Sequence, residues 1–416
     1  MINMLSGLRY RKQVWVIMAI VISVSVLSKC AGKKKDPGTE DLSYNAYAGA
    51  DKCINCHKSI YDSHIQTAHY LTGRPADAQS VMGSFEQGKN IHAYSPELFV
   101  EMQKRDSGLF QVVNFRGEEK MAMRFDFIIG SGEMGQSYLS WRNNKLYQLP
   151  VTYYTAAGRW SNSPGFPDKG VGIDKVITSR CLECHMTYAE GAGGTILEPE
   201  SFNKAKFLFG VDCEKCHGPA AQHVNFHTNN AGDTTARFIV NPSQFERARQ
   251  LDICALCHAG NITKTKPSFS FTAGKNLADY FFISELNHTA VHTGNIDVHG
   301  NQVGLLQSSM CFSKSVALTC NTCHNTHEKE RGRLELFSQR CIHCHPTKDA
   351  SFLTTTHDKI TAIEKNCIDC HMPLQSSRAI AVKIQGEETP RASVLRTHFI
   401  RIYPNETQKF INTYLK

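Results

Sequence analysis

Cys53-Ile54-Asn55-Cys56-His57 is one of seven copies of the pattern Cys-x-x-Cys-His in a chain of 416 residues. The others are Cys181-Leu182-Glu183-Cys184-His185, Cys213-Glu214-Lys215-Cys216-His217, Cys254-Ala255-Leu256-Cys257-His258, Cys320-Asn321-Thr322-Cys323-His324, Cys341-Ile342-His343-Cys344-His345 and Cys367-Ile368-Asp369-Cys370-His371. In this pattern two thiols form thioethers with the vinyl groups of one haem, and the next residue offers an axial imidazole. The gap of two residues matches the separation of the vinyl carbons, and a histidine directly after the second cysteine swings its ring under the iron. With 16 cysteines and 19 histidines in the chain, roughly 0.03 copies are expected by chance. Seven copies therefore require a common chemistry.

Three other chemistries use paired cysteines. Zinc needs four ligands per ion, usually from two half-sites, and does not call for histidine after every second cysteine. A thioredoxin-like redox pair would be single and set in a βαβ pattern. Disulfides explain exported cysteines but leave the seven histidines without a purpose. Covalent haem c, seven per chain, accounts for all of it. The thioether cysteines are the fourteen in the motifs, and the proximal iron ligands are His57, His185, His217, His258, His324, His345 and His371.

A length of 416 residues ordinarily suggests two or three domains. Haems change that expectation, because each porphyrin is a large apolar disc that the chain only has to wrap. The hydrophobic content of 41% is ordinary for a water-soluble chain. The formal charge is +8. Each haem brings two propionates against about one positive charge on the ferric porphyrin, so seven shift the balance by about −7. Near neutrality, and with no basic run interleaved with aromatics, nucleic acid is not an expected partner.

Residues 1–30 read as an export leader. Arg9, Arg11 and Lys12 precede the apolar run Val14–Leu27, which is 14 residues long. A spanning helix needs about 17–25. Cys30 follows the run and is a lipidation candidate, although Lys29 stands where a small residue is usual before the cut. Simple secretion and an uncleaved anchor are the other readings. Residues 31–47, with Lys33-Lys34-Lys35 and Pro37-Gly38, read as a flexible tether. The expected location is outside a bacterial cytoplasm: periplasm, membrane surface or cell surface.

Residues 48–416 are expected to form one heptahaem cytochrome c domain. The fold class is mainly short α-helices and loops wrapped around haems, with a small antiparallel β-rich insert at about 91–160. A helix is expected over Tyr61–Tyr70. Leu109–Phe115, Met121–Ile129 and Leu146–Thr155 read as strands, the last interrupted by Pro150, with a turn at Arg116-Gly117-Glu118. From Cys181 onward the motifs crowd together and should sit on local helices. The interval Ala259–Met310 is an expected loop-rich cover over haems, and the polar tail from Ile380 should wrap back on the haem region.

Twelve histidines remain outside the proximal positions: His64, His69, His92, His223, His227, His288, His292, His299, His327, His343, His357 and His398. Seven irons need sixth ligands or open positions, and a second imidazole gives low-potential, low-spin iron. The distal candidates are His69, His223, His327, His357 and His398. His69 lies twelve residues after His57, and His223 follows the Gly218-Pro219 turn. His327 stands three residues after His324, so on a helix it shares that side and can reach an adjacent haem. His357 and His398 flank the last motif. His343, between two haem-bound cysteines, should face solvent. Cys311 stands outside every motif and reads as a free thiol.

Several stretches together resemble a family of multihaem c-type cytochromes. It includes cytochrome c-554, the tetrahaem carrier serving hydroxylamine oxidoreductase. They are Gly49-Ala50-Asp51-Lys52-Cys53 through Thr67-Ala68-His69, Ile129-Gly130-Ser131-Gly132, Cys213–His223, Thr319–His327 and Cys367–Pro373. The resemblance implies that His69, His223 and His327 ligate haems other than the preceding one, and that haems stack or meet edge-on in close pairs. Seven motifs depart from the four of that carrier, so haem order is not carried over. The β-rich insert is also outside that pattern.

Two functions follow from these residues. The preferred one is an exported carrier passing electrons through closely spaced, mostly bis-histidine haems between a redox donor and an acceptor, with the membrane met through the N-terminal lipid or anchor. The alternative is a multihaem oxidoreductase acting on a small nitrogen or sulfur compound at one five-coordinate haem. All seven motifs end in histidine, and the lysine variant used by pentahaem nitrite reductases is not among them. No catalytic residue is singled out.

Overall fold

The structure, a computed structural model, describes residues 42–194, 198–283, 296–346 and 365–414. The leader, Cys30, most of the tether, His288, His292 and His357 lie outside them. The first motif sits on a helix, Ala50–His64, entered through Gly49 at φ +82° and bearing Asp51 in its first turn, where a carboxylate favours the helix dipole. The helix is distorted at His57. It replaces the helix expected over Tyr61–Tyr70. The chain leaves the helix at His64 because Thr67 intervenes: its N–H bonds to the His64 carbonyl at 2.9 Å and its hydroxyl accepts the Tyr70 N–H at 3.2 Å. Such a local bond competes with helix continuation. A short 3-10 turn, Tyr70–Thr72, follows.

A β module comes next. Its strands are β1 (Gly73–Pro75), β2 (Ile91–Ala93), β3 (Leu98–Arg105), β4 (Gly108–Phe115), β5 (Glu118–Arg124), β6 (Phe127–Ile129), β7 (Gly135–Arg142), β8 (Lys145–Gln148), β9 (Val151–Tyr154) and β10 (Arg159–Asn162). β2-β3-β4-β5 form an antiparallel meander; β1-β6-β7-β9-β10 form a second sheet, with β8 also on β7. The module is thus larger than the insert expected at 91–160 and runs from Gly73 to Asn162. The turn at Arg116-Gly117 lies where the sequence puts it, with φ of 54° and 82°, the pair of positive values that a tight hairpin turn demands. The strand expected over Met121–Ile129 is in fact two, β5 and β6, in different sheets. The chain crosses between sheets at Phe125 and Asp126, where the Asp126 carboxylate accepts the Trp141 N–H at 2.7 Å. Pro150, with no N–H to give, separates β8 from β9.

The two sheets enclose a core of Val100, Met102, Leu109 and Met123 against Phe125, Tyr138, Leu149 and Trp160. Each such side chain contributes about 1.5–3 kcal/mol on burial. Gln111 is fully buried between the sheets. Its amide donates to the Val151 carbonyl at 2.7 Å and accepts the Val151 N–H at 3.0 Å. One side chain thereby replaces a missing strand-to-strand pairing and leaves neither polar group unsatisfied.

The second motif is seated on this module. Its helix, Ser179–Glu183, leads into the hairpin of β11 (Met186–Ala192) and β12 (Ser201–Phe209). Leu182 and Met186 pack with Phe127, Leu139, Leu146 and Phe207 in a separate core. Gly73 and Gly210 allow the close approach. A Cβ on Gly73 would lie 2.4 Å from the His185 carbonyl oxygen, and one on Gly210, at φ +68°, 2.2 Å from that of Tyr70.

The other motifs lie on short helices: Cys213–His217, Arg247–His258, Cys320–Cys323, Leu334–Cys344 and Ile368–His371. The interval 259–310 is not all loop. It holds the pair β13 (Thr263–Lys264) and β14 (Phe281–Phe282) and the helix Gln302–Gln307, packed as a small core of Leu256, Leu277, Phe281 and Val303 under the fourth motif. The tail forms a hairpin, β15 (Leu374–Val382) with β16 (Arg391–Arg396), then the helix Pro404–Tyr414. Antiparallel structure is therefore spread beyond the one insert. Among the described residues no helix is long and apolar enough to cross a membrane.

Candidate haem sites and their histidines

Neighbouring motifs are tied by buried polar contacts. Glu214, inside the third motif, accepts N–H groups from Ala48 at 2.8 Å, Gly49 at 2.9 Å and Ala220 at 2.7 Å, joining it to the start of the first-motif helix. Burial pushes its carboxyl up. Arg180, just before the second motif, donates to the Leu256 carbonyl of the fourth at 3.0 Å and pairs with buried Glu183 at 3.0 Å. Arg247, on the fourth-motif helix, reaches the Leu318 carbonyl before the fifth at 2.9 Å. Arg340 donates to the Cys323 carbonyl at 2.6 Å, linking the fifth motif to the sixth, and the Cys367 N–H of the seventh donates to Ser338 at 3.0 Å.

Thiols of different motifs also meet. Cys53 stands beside Cys213, Cys184 beside Cys257, Cys254 beside Cys320, and Cys341 beside Cys367. In the second of these pairs the neighbouring Cys257 thiol is the main influence bringing Cys184 down to about 7. All the described cysteines are free thiols, the form that thioether attachment needs. Taken through these contacts, each motif adjoins at least one other.

The imidazoles are arranged in a second pattern. Several are anchored through Nδ1, leaving Nε2 for another partner. His217 Nδ1 meets the Val240 carbonyl at 2.9 Å, His371 the Arg401 carbonyl at 3.0 Å, and His223 the Arg237 carbonyl at 2.7 Å. His185 Nδ1 meets the Thr72 hydroxyl at 2.8 Å. A backbone carbonyl at Nδ1 is the usual orienting partner of a metal-binding histidine.

Three proximal histidines face a second imidazole. Ring centroids are 6.2 Å apart for His258 and His69, 6.1 Å for His217 and His327, and 6.0 Å for His324 and His398. A ligating imidazole nitrogen lies about 2 Å from its metal, with the ring centroid roughly 1.1 Å behind it. Two imidazoles sharing one iron axis should then have centroids on the order of 6.3 Å apart. The three separations match that span.

Burial favours the neutral form of several of the imidazoles. It is the main cause that lowers His69, His185 and His398 to about 4, and it also lowers His258, His324 and His327. A neutral imidazole is the ligating form. His398 Nδ1 and His64 Nε2 are buried without a hydrogen-bond partner, a costly condition for a polar nitrogen that an axial metal bond would relieve. Free thiols, neutral paired rings and orphaned ring nitrogens together fit haem.

The other candidates fall elsewhere. His223 lies against His227, one helical turn on, at 4.6 Å between centroids, and not opposite a proximal ring. His57 and His345 are exposed, as is His343. His64 was not among the distal candidates, yet it lies 6.2 Å from His327 and 3.6 Å from Asp212. Its signal in the sequence is the spacing of seven from His57, two turns along the same helix face. Cys311 is half-buried, and burial raises its thiol.

Comparison with known proteins finds similar sequences and a similar fold. The family described as cytochrome c554 and c-prime matches residues 156–218, which contain the second and third motifs. The C-type polyheme cytochrome OmcC of Geobacter sulfurreducens is 25% identical over 174 residues, covering 37% of this chain. The match spans only 21% of that protein's length. The outer cell wall cytochrome OcwA is similar in structure, with a TM-score of 0.50 over 88% of this chain and 81% of OcwA. At 15% identity that likeness is one of fold.

Proposed function

As this chain is a multihaem c-type cytochrome, we propose that it carries seven haem c groups and conducts electrons between a redox donor and an acceptor. The observation that carries this reading is the continuity of the motifs: thiol proximity and buried polar contacts join the first to the third and the second through the fourth to the seventh, and the facing rings of His217 and His327 join the two groups. Haem iron, when bound, supplies the one-electron couple and the path between partners. The chain does the remainder. Its cysteines fix each porphyrin, its paired imidazoles set the iron's ligand field, and its carbonyls at His217, His223 and His371 hold ring orientation.

His69, His327 and His398 would be the sixth ligands opposite His258, His217 and His324. This is supported by the 6.0–6.2 Å spacings. His223 and His357 stay as further distal candidates. Export through residues 1–30, with Cys30 as a lipid anchor, belongs to the same reading, and the likeness to an outer cell wall cytochrome supports a place outside the cytoplasm.

The test is made on the purified mature chain. Its mass should carry seven porphyrin increments, a pyridine haemochrome should give seven haems per chain, and the ferric spectrum should be dominated by low-spin iron. A count well below seven would defeat the proposal. A prominent high-spin band that moves with cyanide or hydroxylamine would transfer it to the oxidoreductase alternative.

A further inference from the structure

Glu330 is a buried carboxylate in the loop that carries His327, with its side chain only 5% exposed. It accepts the Asn325 N–H at 2.9 Å and is gripped by both terminal nitrogens of Arg340, one of them at 2.9 Å. Asn325 in turn accepts the His327 N–H at 3.0 Å through its side-chain oxygen. Arg340 does a second thing: it donates to the Cys323 carbonyl at 2.6 Å, and it immediately precedes Cys341. One ion pair thus touches the backbone of the fifth motif, the helix of the sixth and the loop that sets His327 opposite His217. Both charges also act on the His324 imidazole. From the far side, Glu133 of the β module holds the same loop through Lys329 at 3.4 Å and Arg331 at 3.1 Å.

We infer that Glu330 and Arg340 are a positioning pair that clamps the His327 loop and balances the charge felt by the irons of the fifth and sixth motifs. This rests on the reading that His327 is the sixth ligand opposite His217. Breaking a buried pair by neutralising one member leaves the other charge uncompensated. A lone guanidinium stabilises reduced iron, and a lone carboxylate stabilises oxidised iron. The two single substitutions must therefore move reduction potentials in opposite directions. A purely structural role would move both the same way.

The experiment uses the holoprotein with its full haem content verified, by spectropotentiometric titration and ferric electron paramagnetic resonance. Glu330→Gln should shift at least one titration step upward, and Arg340→Gln should shift at least one downward. Both should broaden a low-spin signal, and Arg340→Lys, which keeps the charge, should restore the potential. If the single variants do not load haem, the double variant Glu330→Gln/Arg340→Gln decides. Titration steps at wild-type positions with a broadened low-spin signal support the inference. Displaced steps, or same-signed shifts in the singles, overturn it. His327→Ala separates the two readings. A new high-spin signal upholds His327 as ligand, whereas an unchanged spectrum removes that ligand assignment and leaves the charge arm to be judged by sign alone.

Discussion

Single residues carry two kinds of information here, local and borrowed. The proposed thioether cysteines and proximal histidines are legible because their chemistry needs two cysteines three positions apart with a histidine directly after, and the chain writes that spacing out seven times. The facing imidazoles are not legible in that way. His69 meets His258 and His398 meets His324 only because the fold returns distant segments to one place, and the approach of His64 to His327 is of the same kind. Replacing His69 with methionine should raise one reduction potential, since a thioether ligand favours ferrous iron more than imidazole does. Redox titration with the other steps unmoved is the expected result. Glu214→Gln should destabilise the chain by about 1–3 kcal/mol, because an amide nitrogen cannot accept the backbone N–H groups that the carboxylate holds. Thermal unfolding followed by Soret absorption would measure it.

Elements were readable where their periodicity is clean. The turn at Arg116-Gly117 and the strand Gly108–Phe115 follow from alternation and from the demand for positive φ. The hairpins Met186–Phe209 and Leu374–Arg396 were missed because both contain register shifts, at Met186/Tyr188, Ala189/Gly191 and Ser376/Ala381. A bulge resets the alternation of period two that marks a strand. The second of these hairpins depends on Asp297. Burial alone would raise its carboxyl, but the N–H groups of Arg378 and His299 and the Ser377 hydroxyl outweigh that, and its pKa is lowered. A lowered carboxylate stabilises the fold above its unfolded-state value of about 3.9, and that contribution fades as pH falls through the folded value. Hydrogen exchange in Leu374–Arg396 should therefore quicken below pH 4. Asp297→Asn should remove this acid dependence.

At the scale of the molecule, the β module and the motif region differ in what holds them. The module's larger core, between its two sheets, is drawn from those sheets and the loops beside them, although Phe127, Leu139 and Leu146 also pack against the second-motif region, so most of its stability does not depend on porphyrin. The motif helices are short, from four to fifteen residues, and isolated helices of that length are marginal in water. Expressed without haem attachment, the chain should lose structure after residue 174 while the stretch 73–162 survives. Limited proteolysis with mass spectrometry should recover a fragment near those limits. A fully digested chain would mean that the module leans on the haem region after all.

The hydroxyl of Thr72 at His185 sets the second motif apart from those whose rings rest on carbonyls. A carbonyl only accepts, so it fixes the ring's proton and makes the opposite nitrogen a stronger donor. Where His185 holds a metal through Nε2 its Nδ1 carries the ring proton, so the Thr72 hydroxyl accepts it too, but as a weaker acceptor than a carbonyl, and the opposite nitrogen gains less. The second motif should then hold iron more easily reduced than that of the third or the seventh, a low point into which charge entering there drains and where it waits. Thr72→Val, by removing the hydroxyl, should displace one step of the titration upward and leave the others in place.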